Sequence, residues 1–535
     1  MHVPLKKLMV ALLAILAIAA ALWNLRLATS GLTITRVDIE GIPATVFKAS
    51  AEQNGPVVVI AHGFAGSQQL MRPFATTFAR NGYTAITFDF AGHGRNISAL
   101  RGNIIEVGGA TQTLVKETNR VAQFSHTLGD GRIAVLGHSM ASDIVVRFAQ
   151  AAPDVKATIA VSMFSPAATA QSPPNLLVIV GEWEGMLKTE ALRVVGLFSA
   201  ATQAIPTQAL PTQALPTQAQ TGVTYRDIAS GNTRRAAISD GVEHVSVLYS
   251  QASMREALAW LDSVFAIKRT QAPYLDTTGP WIMLLLAGIV TLAWPLSSLL
   301  PVVASPAVGA ALPWRKLVLP LLLPVIVTPL LLRVLPTHFL PVLVGDYLAA
   351  HFAMYGLITA LCLVVLGRQS AFQKKVEMRG LQSIKLPPFF AATACVVVFG
   401  FVALVWPINL YVTSFVPGTM RTLLILAMLV GTAMFFIGDE WLTRGVADTG
   451  KTSARGAYAA TKIAFLVSLA IAVALDFERL FFLLIIIPVI VPFFVVYGLF
   501  SRWIYRRTGH PFVAAIANAI AFAWAVGVTF PLLAG

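Results

Sequence analysis

Apolar positions recur along this chain in two different rhythms. From Gly31 to Lys268, short β-branched runs alternate with polar stretches whose apolar residues return at helical spacing. Beyond Pro280 the apolar runs continue for about twenty residues at a time, the length that crosses a bilayer as a helix. The first rhythm predicts an α/β domain over 31–268, with a mostly parallel sheet and helices on both faces. Strands are expected at 32–38, 44–48, 57–61, 84–88, 133–137, 158–161, 176–180 and 235–238. The second rhythm predicts a polytopic α-helical membrane bundle over 280–535, with spans at 281–300, 316–335, 347–367, 388–408, 420–438, 457–475, 480–501 and 511–533. Prolines at Pro320, Pro324, Pro329, Pro488 and Pro492 imply kinks that neighbouring helices must accommodate.

Two further segments complete the plan. Residues 1–30 carry Lys6 and Lys7 before an apolar run at 8–23, the pattern of a signal anchor, although Ala28-Thr29-Ser30 leaves cleavage open. At 202–220 a Thr-Gln-Ala-Ile/Leu-Pro unit repeats every five residues. Proline at that spacing can continue neither a helix nor a central strand, so an extended surface excursion is expected.

Composition agrees with this division. Hydrophobic residues make up 56% of the chain and charged residues only 12%, with a mean hydropathy of +0.72, outside the range of ordinary soluble domains. The net charge of +14 does not require a nucleic-acid partner, because membrane proteins gather Lys and Arg in cytoplasmic loops. With a cytoplasmic N-terminus, the inner loops would hold Arg315, Lys316, Arg368, Lys374, Lys375, Arg379, Lys385, Arg444, Lys451, Arg455, Arg502, Arg506 and Arg507. The outer loops would hold only Arg333, Arg421 and Arg479. This bias places the 31–268 domain outside the cytoplasm, as expected for a cell or bacterial inner membrane. Cys362 and Cys395 both lie in apolar runs and can build neither a disulfide framework nor a metal cluster, so no metal or other cofactor is expected.

The candidate chemistry centres on Ser139. The stretch Leu136-Gly137-His138-Ser139-Met140-Ala141 follows the apolar run Ile133-Ala134-Val135, and a sharp strand-to-helix turn there needs small residues two before and two after the serine. Gly137 and Ala141 satisfy that need. A serine hydroxyl is a weak nucleophile, so it requires a base and a group to orient the base. His244, in Asp240-Gly241-Val242-Glu243-His244, is the candidate base. Glu184 or Glu182, in Val180-Gly181-Glu182-Trp183-Glu184, is the candidate acid; both loops follow strands.

In these residues the region resembles the α/β-hydrolase superfamily, whose chain order of nucleophile, acid and histidine matches Ser139, Glu184 and His244. His62-Gly63-Phe64 is similar to its oxyanion loop, and Asp89-Phe90-Ala91-Gly92-His93-Gly94 to the turn after its fourth strand. The resemblance implies oxyanion donors at the backbone N–H groups of Phe64 and Met140, and favours Glu184 over Glu182. Two features depart from its commoner pattern: Ala141 replaces a glycine, and the acid is Glu instead of Asp. A Ser nucleophile favours esters, thioesters or amides over the epoxides and haloalkanes for which relatives carry Asp, so an acyl-containing small molecule or a lipid-linked substrate is expected. His62, His93 and His138 are read as structural groups near strand ends. Only some fourteen residues separate the strands at 158–161 and 176–180, which leaves no room there for a helical cap.

The membrane half leaves alternatives open. Asp346, His351, Asp439, Glu440, His510 and Asn518 lie in or beside spans. Asp439-Glu440-Trp441-Leu442-Thr443-Arg444 resembles the Glu-Glu-x-x-x-Arg motif of intramembrane CAAX-type proteases, but the expected second motif is missing. Helix-end and capping roles are the simpler reading. Eight spans exceed what anchoring needs, so the bundle either presents a lipid-linked substrate to Ser139 or passes a product or acyl donor across the bilayer. An acyltransferase, and a transporter or scaffold with an inactive hydrolase fold, are the competing functions. The oligomeric state cannot be read.

Overall fold

The computed structural model describes residues 4–50, 54–103, 106–203, 219–368, 384–445 and 454–534. Most of the proline repeat, 204–218, lies outside them, as do Lys374, Lys375, Arg379 and Lys451 of the expected inner loops. The chain forms two compact units. One comprises 20–283 together with 408–414 and 531–535, and the other comprises 1–19, 284–407 and 415–530.

The first unit is built on a nine-stranded sheet. After α1 (Leu5–Ala28) come β1 (Leu32–Ile39), β2 (Ile42–Ala49), β3 (Val57–Ala61), α2 (Arg72–Arg80), β4 (Thr84–Phe88), α3 (Gln112–Ser125), β5 (Ile133–His138), α4 (Met140–Ala151), β6 (Val155–Val161), β7 (Leu176–Gly181), α5 (Gly185–Gln203), β8 (Thr224–Tyr225), β9 (Arg234–Ser239) and α6 (Gln251–Val264). The spatial order is β1-β2-β4-β3-β5-β6-β7-β9-β8. Pairing is parallel from β4 through β9, while β1, β2 and the short β8 join antiparallel at the edges.

Strands buried on both faces should be apolar throughout, and β3 is, as is β5 up to its last residue, His138. The pleat then sorts their side chains. Val58, Ile60, Ala134 and Leu136 pack with Phe74 and Phe78 of α2 and Met254 and Leu258 of α6. Val57, Val59, Ile133 and Val135 pack on the other face with Leu114 and Val121 of α3 and Ile144 and Val145 of α4. This is the α/β-hydrolase arrangement expected from the sequence. The two-residue β8 was too short for a periodicity to reveal, and most observed strands run one to three residues beyond their expected ends.

The second unit contributes the long apolar helices. Among the described residues of the whole chain, nine helices are long and apolar enough to cross a membrane: Leu5–Ala28, Thr278–Ser297, Trp314–Val334, Gly345–Leu366, Leu386–Tyr411, Thr419–Thr443, Ala457–Leu475, Ile486–Thr508 and Pro511–Thr529. The final helix stops at Thr529 and not at 533, because residues 531–534 belong to the hydrolase unit. Helix contacts rely on small residues. A Cβ on Gly431 would lie 2.3 Å from the Ala349 carbonyl oxygen, and one on Gly356 would lie 2.5 Å from the backbone of Met434. Polar groups pair inside the bundle, as lipid requires. Arg421 donates to the Gly527 and Phe530 carbonyls, and Asn518 donates to Ser501.

Candidate active site

The sharp turn expected at Ser139 is present. β5 ends at His138, α4 begins at Met140, and Ser139 between them has φ 54° and ψ −119°. That conformation costs an L-residue roughly 1–3 kcal/mol, which the surrounding fold must supply. Space is as tight as the sequence implied. A Cβ on Gly137 would sit 2.2 Å from the Ala141 carbonyl oxygen, and one on Gly63 would sit 2.9 Å from Ser139 Cβ. The Ser139 amide donates to the Val161 carbonyl at 2.9 Å, tying the turn to β6.

The structure brings together three groups that are 60 and 105 residues apart in sequence. His244 Nε2 lies 2.9 Å from Ser139 Oγ, and His244 Nδ1 lies 2.5 Å from Glu184 Oε1. With Glu184 ionised and accepting from Nδ1–H, the imidazole presents Nε2 as an acceptor to the serine hydroxyl. The second carboxylate oxygen of Glu184 accepts from the Gly181 amide at 2.6 Å and from Ser162 Oγ at 2.8 Å. Burial pushes the pKa of Glu184 upward, but hydrogen bonds from His244, Gly181 and Ser162 outweigh it and hold the carboxyl below its ordinary range. Glu182 points elsewhere, accepting from the Gly241 amide at 2.7 Å in an exposed turn.

The loop expected to carry the oxyanion donors runs directly beside Ser139. Phe64 follows Gly63, whose close approach to Ser139 only a glycine permits, and Met140 opens α4 with its N–H at the helix N-terminus. The histidines read as structural are buried near strand ends. His62 holds the loop through Nδ1 to the Gly63 carbonyl at 2.8 Å, and its Nε2 accepts from the Phe90 amide at 3.2 Å. His138 does more than fill space: its Nε2 donates to the His244 carbonyl at 2.9 Å and so fixes the backbone of the candidate base. Burial, and then the neighbouring His244, push the His138 imidazole down to about 3, so it stays neutral. The turn after β4 is held by Asp89, which accepts from the Gln68 amide at 2.8 Å and from the Arg95 amide at 3.1 Å.

Ser162 is the member of this cluster that sequence reading missed. It directly follows β6, with φ 52°, and hydrogen-bonds the candidate acid. Its position directly after a buried parallel strand was the available signal.

Residues 52–220 match the family model described as Serine aminopeptidase, S33. The domain has the α/β-hydrolase fold. The match ends before the second membrane span. An uncharacterized 31.7 kDa protein in the traX-finO intergenic region of Escherichia coli is 28% identical over 127 residues, which cover 24% of this chain. The chain spans 43% of that relative's length. Among solved structures, a predicted CIB-like hydrolase from Thermoplasma acidophilum aligns over 43% of this chain and 97% of its own, with 15% identity and a TM-score of 0.32. A membrane phospholipase A described as a bacterial virulence factor aligns over 49% of this chain and 99% of its own, with 15% identity and a TM-score of 0.30.

The polar candidates of the membrane unit do not join this cluster. Glu440 is buried and paired with Arg444 at 3.0 Å, one helical turn away. Asp439 pairs with Lys462. His510 caps the last span, accepting from the Phe512 amide at 3.2 Å. Asp346 accepts from the amides of Tyr347 and Phe339 at the start of its helix, and His351 is buried among Tyr347, Tyr355 and Phe465.

Proposed function

We propose that this hydrolase cleaves an acyl bond through a covalent acyl-enzyme formed on Ser139. Ser139 Oγ attacks the carbonyl carbon while His244 Nε2 takes its proton. The N–H groups of Phe64 and Met140 receive the oxyanion. His244 then returns the proton to the leaving alcohol, thiol or amine, and a water activated by the same imidazole releases the acid. Glu184 fixes the tautomer and stabilises the imidazolium. The observation that carries this reading is the unbroken Ser139–His244–Glu184 hydrogen-bonded line behind a strained serine.

An apolar acyl portion is favoured by the surface around that line. Among the described residues of 31–276, six large apolar side chains are exposed. Five of them, Ile97, Phe164, Trp183, Met186 and Val245, stand in the loops or helix start that follow β4, β6, β7 and β9. The sixth, Ile34, lies on the edge strand β1. Covering each such side chain is worth about 1.5–3 kcal/mol, so this rim favours an acyl chain over a polar peptide.

The test uses the full chain in detergent with a fluorophosphonate probe and a set of esters of increasing acyl length. Labelling should vanish in Ser139→Ala, and turnover should rise with chain length. Equal labelling of both proteins rejects the nucleophile; a preference for acetyl esters rejects the apolar substrate.

The charge bias of the loops supports an extracytoplasmic site. Parity agrees with one feature of it: residues 412–414 and 531–534 follow the fifth and ninth candidate spans among the described residues, and the domain itself follows the first, so all three fall on one side. An alkaline phosphatase fusion after Lys268 is expected to be active, and an inactive fusion would reverse the orientation.

A further inference from the structure

A cavity that Ser139, His244 and Glu184 do not line lies in the hydrolase unit. It measures about 190 Å³, and its lining includes Arg36, Arg72, Arg95, Gln68, Thr45 and Thr87. Strand register builds its floor: Arg36 on β1 stands opposite Thr45 on β2, which stands opposite Thr87 on β4. Arg72 opens α2 above them, and Arg95 comes from the turn after β4.

Structural contacts account for only part of this lining: Arg72 donates to the Leu410 carbonyl and lies over the Tyr411 ring, and Thr45 donates to Gln68. Three guanidinium groups share one small space, and none of them forms an ion pair with a carboxylate among the described residues. Asp89, the nearby acid, is occupied by the Gln68 amide, the Gln68 side chain and the Arg95 amide. Burial lowers Arg95 from its ordinary value and repulsion from Arg36 lowers it further, against the pull of Asp89. Arg72 is lowered chiefly by burial, with Arg36 adding repulsion against the pull of Tyr411 and Asp276. Thr87 is 1% exposed, and its hydroxyl has no hydrogen-bond partner among the described residues. Arg36 is exposed and Arg72 and Arg95 are half-buried, so the buried unpaired hydroxyl beside them is the costly feature unless something fills the space.

The geometry points to a binding site for a phosphate-sized oxyanion, held by Arg36, Arg72 and Arg95 with Thr87 Oγ1 as an additional donor. Guanidinium forks suit the tetrahedral face of a phosphate, and its charge relieves their repulsion. The cavity is too small for a drug-sized ligand, so a single phosphate group, free or at the end of a lipid headgroup, is the class that fits. The site stands whatever bond is cleaved at Ser139.

The experiment titrates inorganic phosphate into the full chain in detergent, with chloride at matched ionic strength as control, and reads calorimetric binding and the thermal unfolding midpoint. Saturable binding that raises the midpoint is expected. Arg36→Gln and Thr87→Val, which leave the Arg72 contact to the Leu410 carbonyl in place, should each weaken phosphate about tenfold or more while keeping the phosphate-free midpoint at or above that of the parent. Phosphate acting no better than chloride, or binding unchanged in both variants, overturns the site. Repeating the titration in phosphatidylcholine nanodiscs with and without phosphatidic acid identifies the source. Competition by phosphatidic acid assigns a lipid phosphomonoester, and undiminished phosphate binding assigns the free ion.

Discussion

His244→Ala is expected to lower kcat for acyl-bond cleavage by about 10⁶-fold with little change in KM, the scale seen when one member of a serine-nucleophile relay is removed. The reason lies in the geometry at Ser139. Among the described residues its hydroxyl has one basic hydrogen-bond partner, His244 Nε2 at 2.9 Å, and without that nitrogen the attacking oxygen must shed its proton to water. His138 cannot substitute, although its ring centroid lies 4.9 Å from that of His244, because its Nε2 is committed to the His244 carbonyl. Pre-steady-state turnover of an activated ester measures the loss. A decrease of less than a hundredfold would mean that another group serves as base.

The second large effect falls on the acid, where two candidates a single residue apart make opposite predictions. Glu184→Gln should lower kcat by about 10⁴-fold, because an amide in that place no longer fixes the tautomer or offsets the imidazolium charge. Glu182→Gln should cost no more than a few-fold, since it removes only a bond to the Gly241 amide. Equal losses in both variants would argue against Glu184. The pH dependence follows from the same hydrogen bonds. A carboxyl depressed by folding contributes stability that is present above its unfolded value and lost as pH falls through its lower folded value. Parental stability should therefore decline on the acid side, below the usual glutamate range, with a steeper fall than in Glu184→Gln. Unfolding midpoints measured from neutral to acid pH give the comparison.

Much of the site could be read from the chain because its requirements are local. Gly137 and Ala141 announce the turn by their size, and buried parallel strands announce themselves by uninterrupted β-branched runs. The boundaries of β3 and β4 coincide with those expected, since polar or proline residues border both runs. Choosing between Glu182 and Glu184 was harder. Both follow β7, and only the turn through Gly185 into α5 decides that the second carboxylate swings inward. Ser162 and the His138 contact escaped notice because each gains its meaning from a partner 22 or 106 residues away. The same holds for the two returning segments. Residues 409–414 read as the connection between two spans, yet Thr413 and Ser414 hydrogen-bond Ser67 just past the oxyanion loop, and Ser414 also reaches Gln69. Residues 531–534 read as span too, yet Leu533 bridges Leu100.

Those returning segments bear on how the enzyme matures. Leu532 accepts from the Leu100 amide and donates to the Gly92 carbonyl, and Ala534 donates back to the Leu100 carbonyl, so the turn after β4 acquires these partners from residues made about 250 positions after Met283. At translation speeds of roughly 5–20 residues per second, the sheet waits between about 12 and 50 s for that stitch. A nascent chain halted before Pro511 lacks those partners, so the turn after β4 closes only once the helix Pro511–Thr529 has been made.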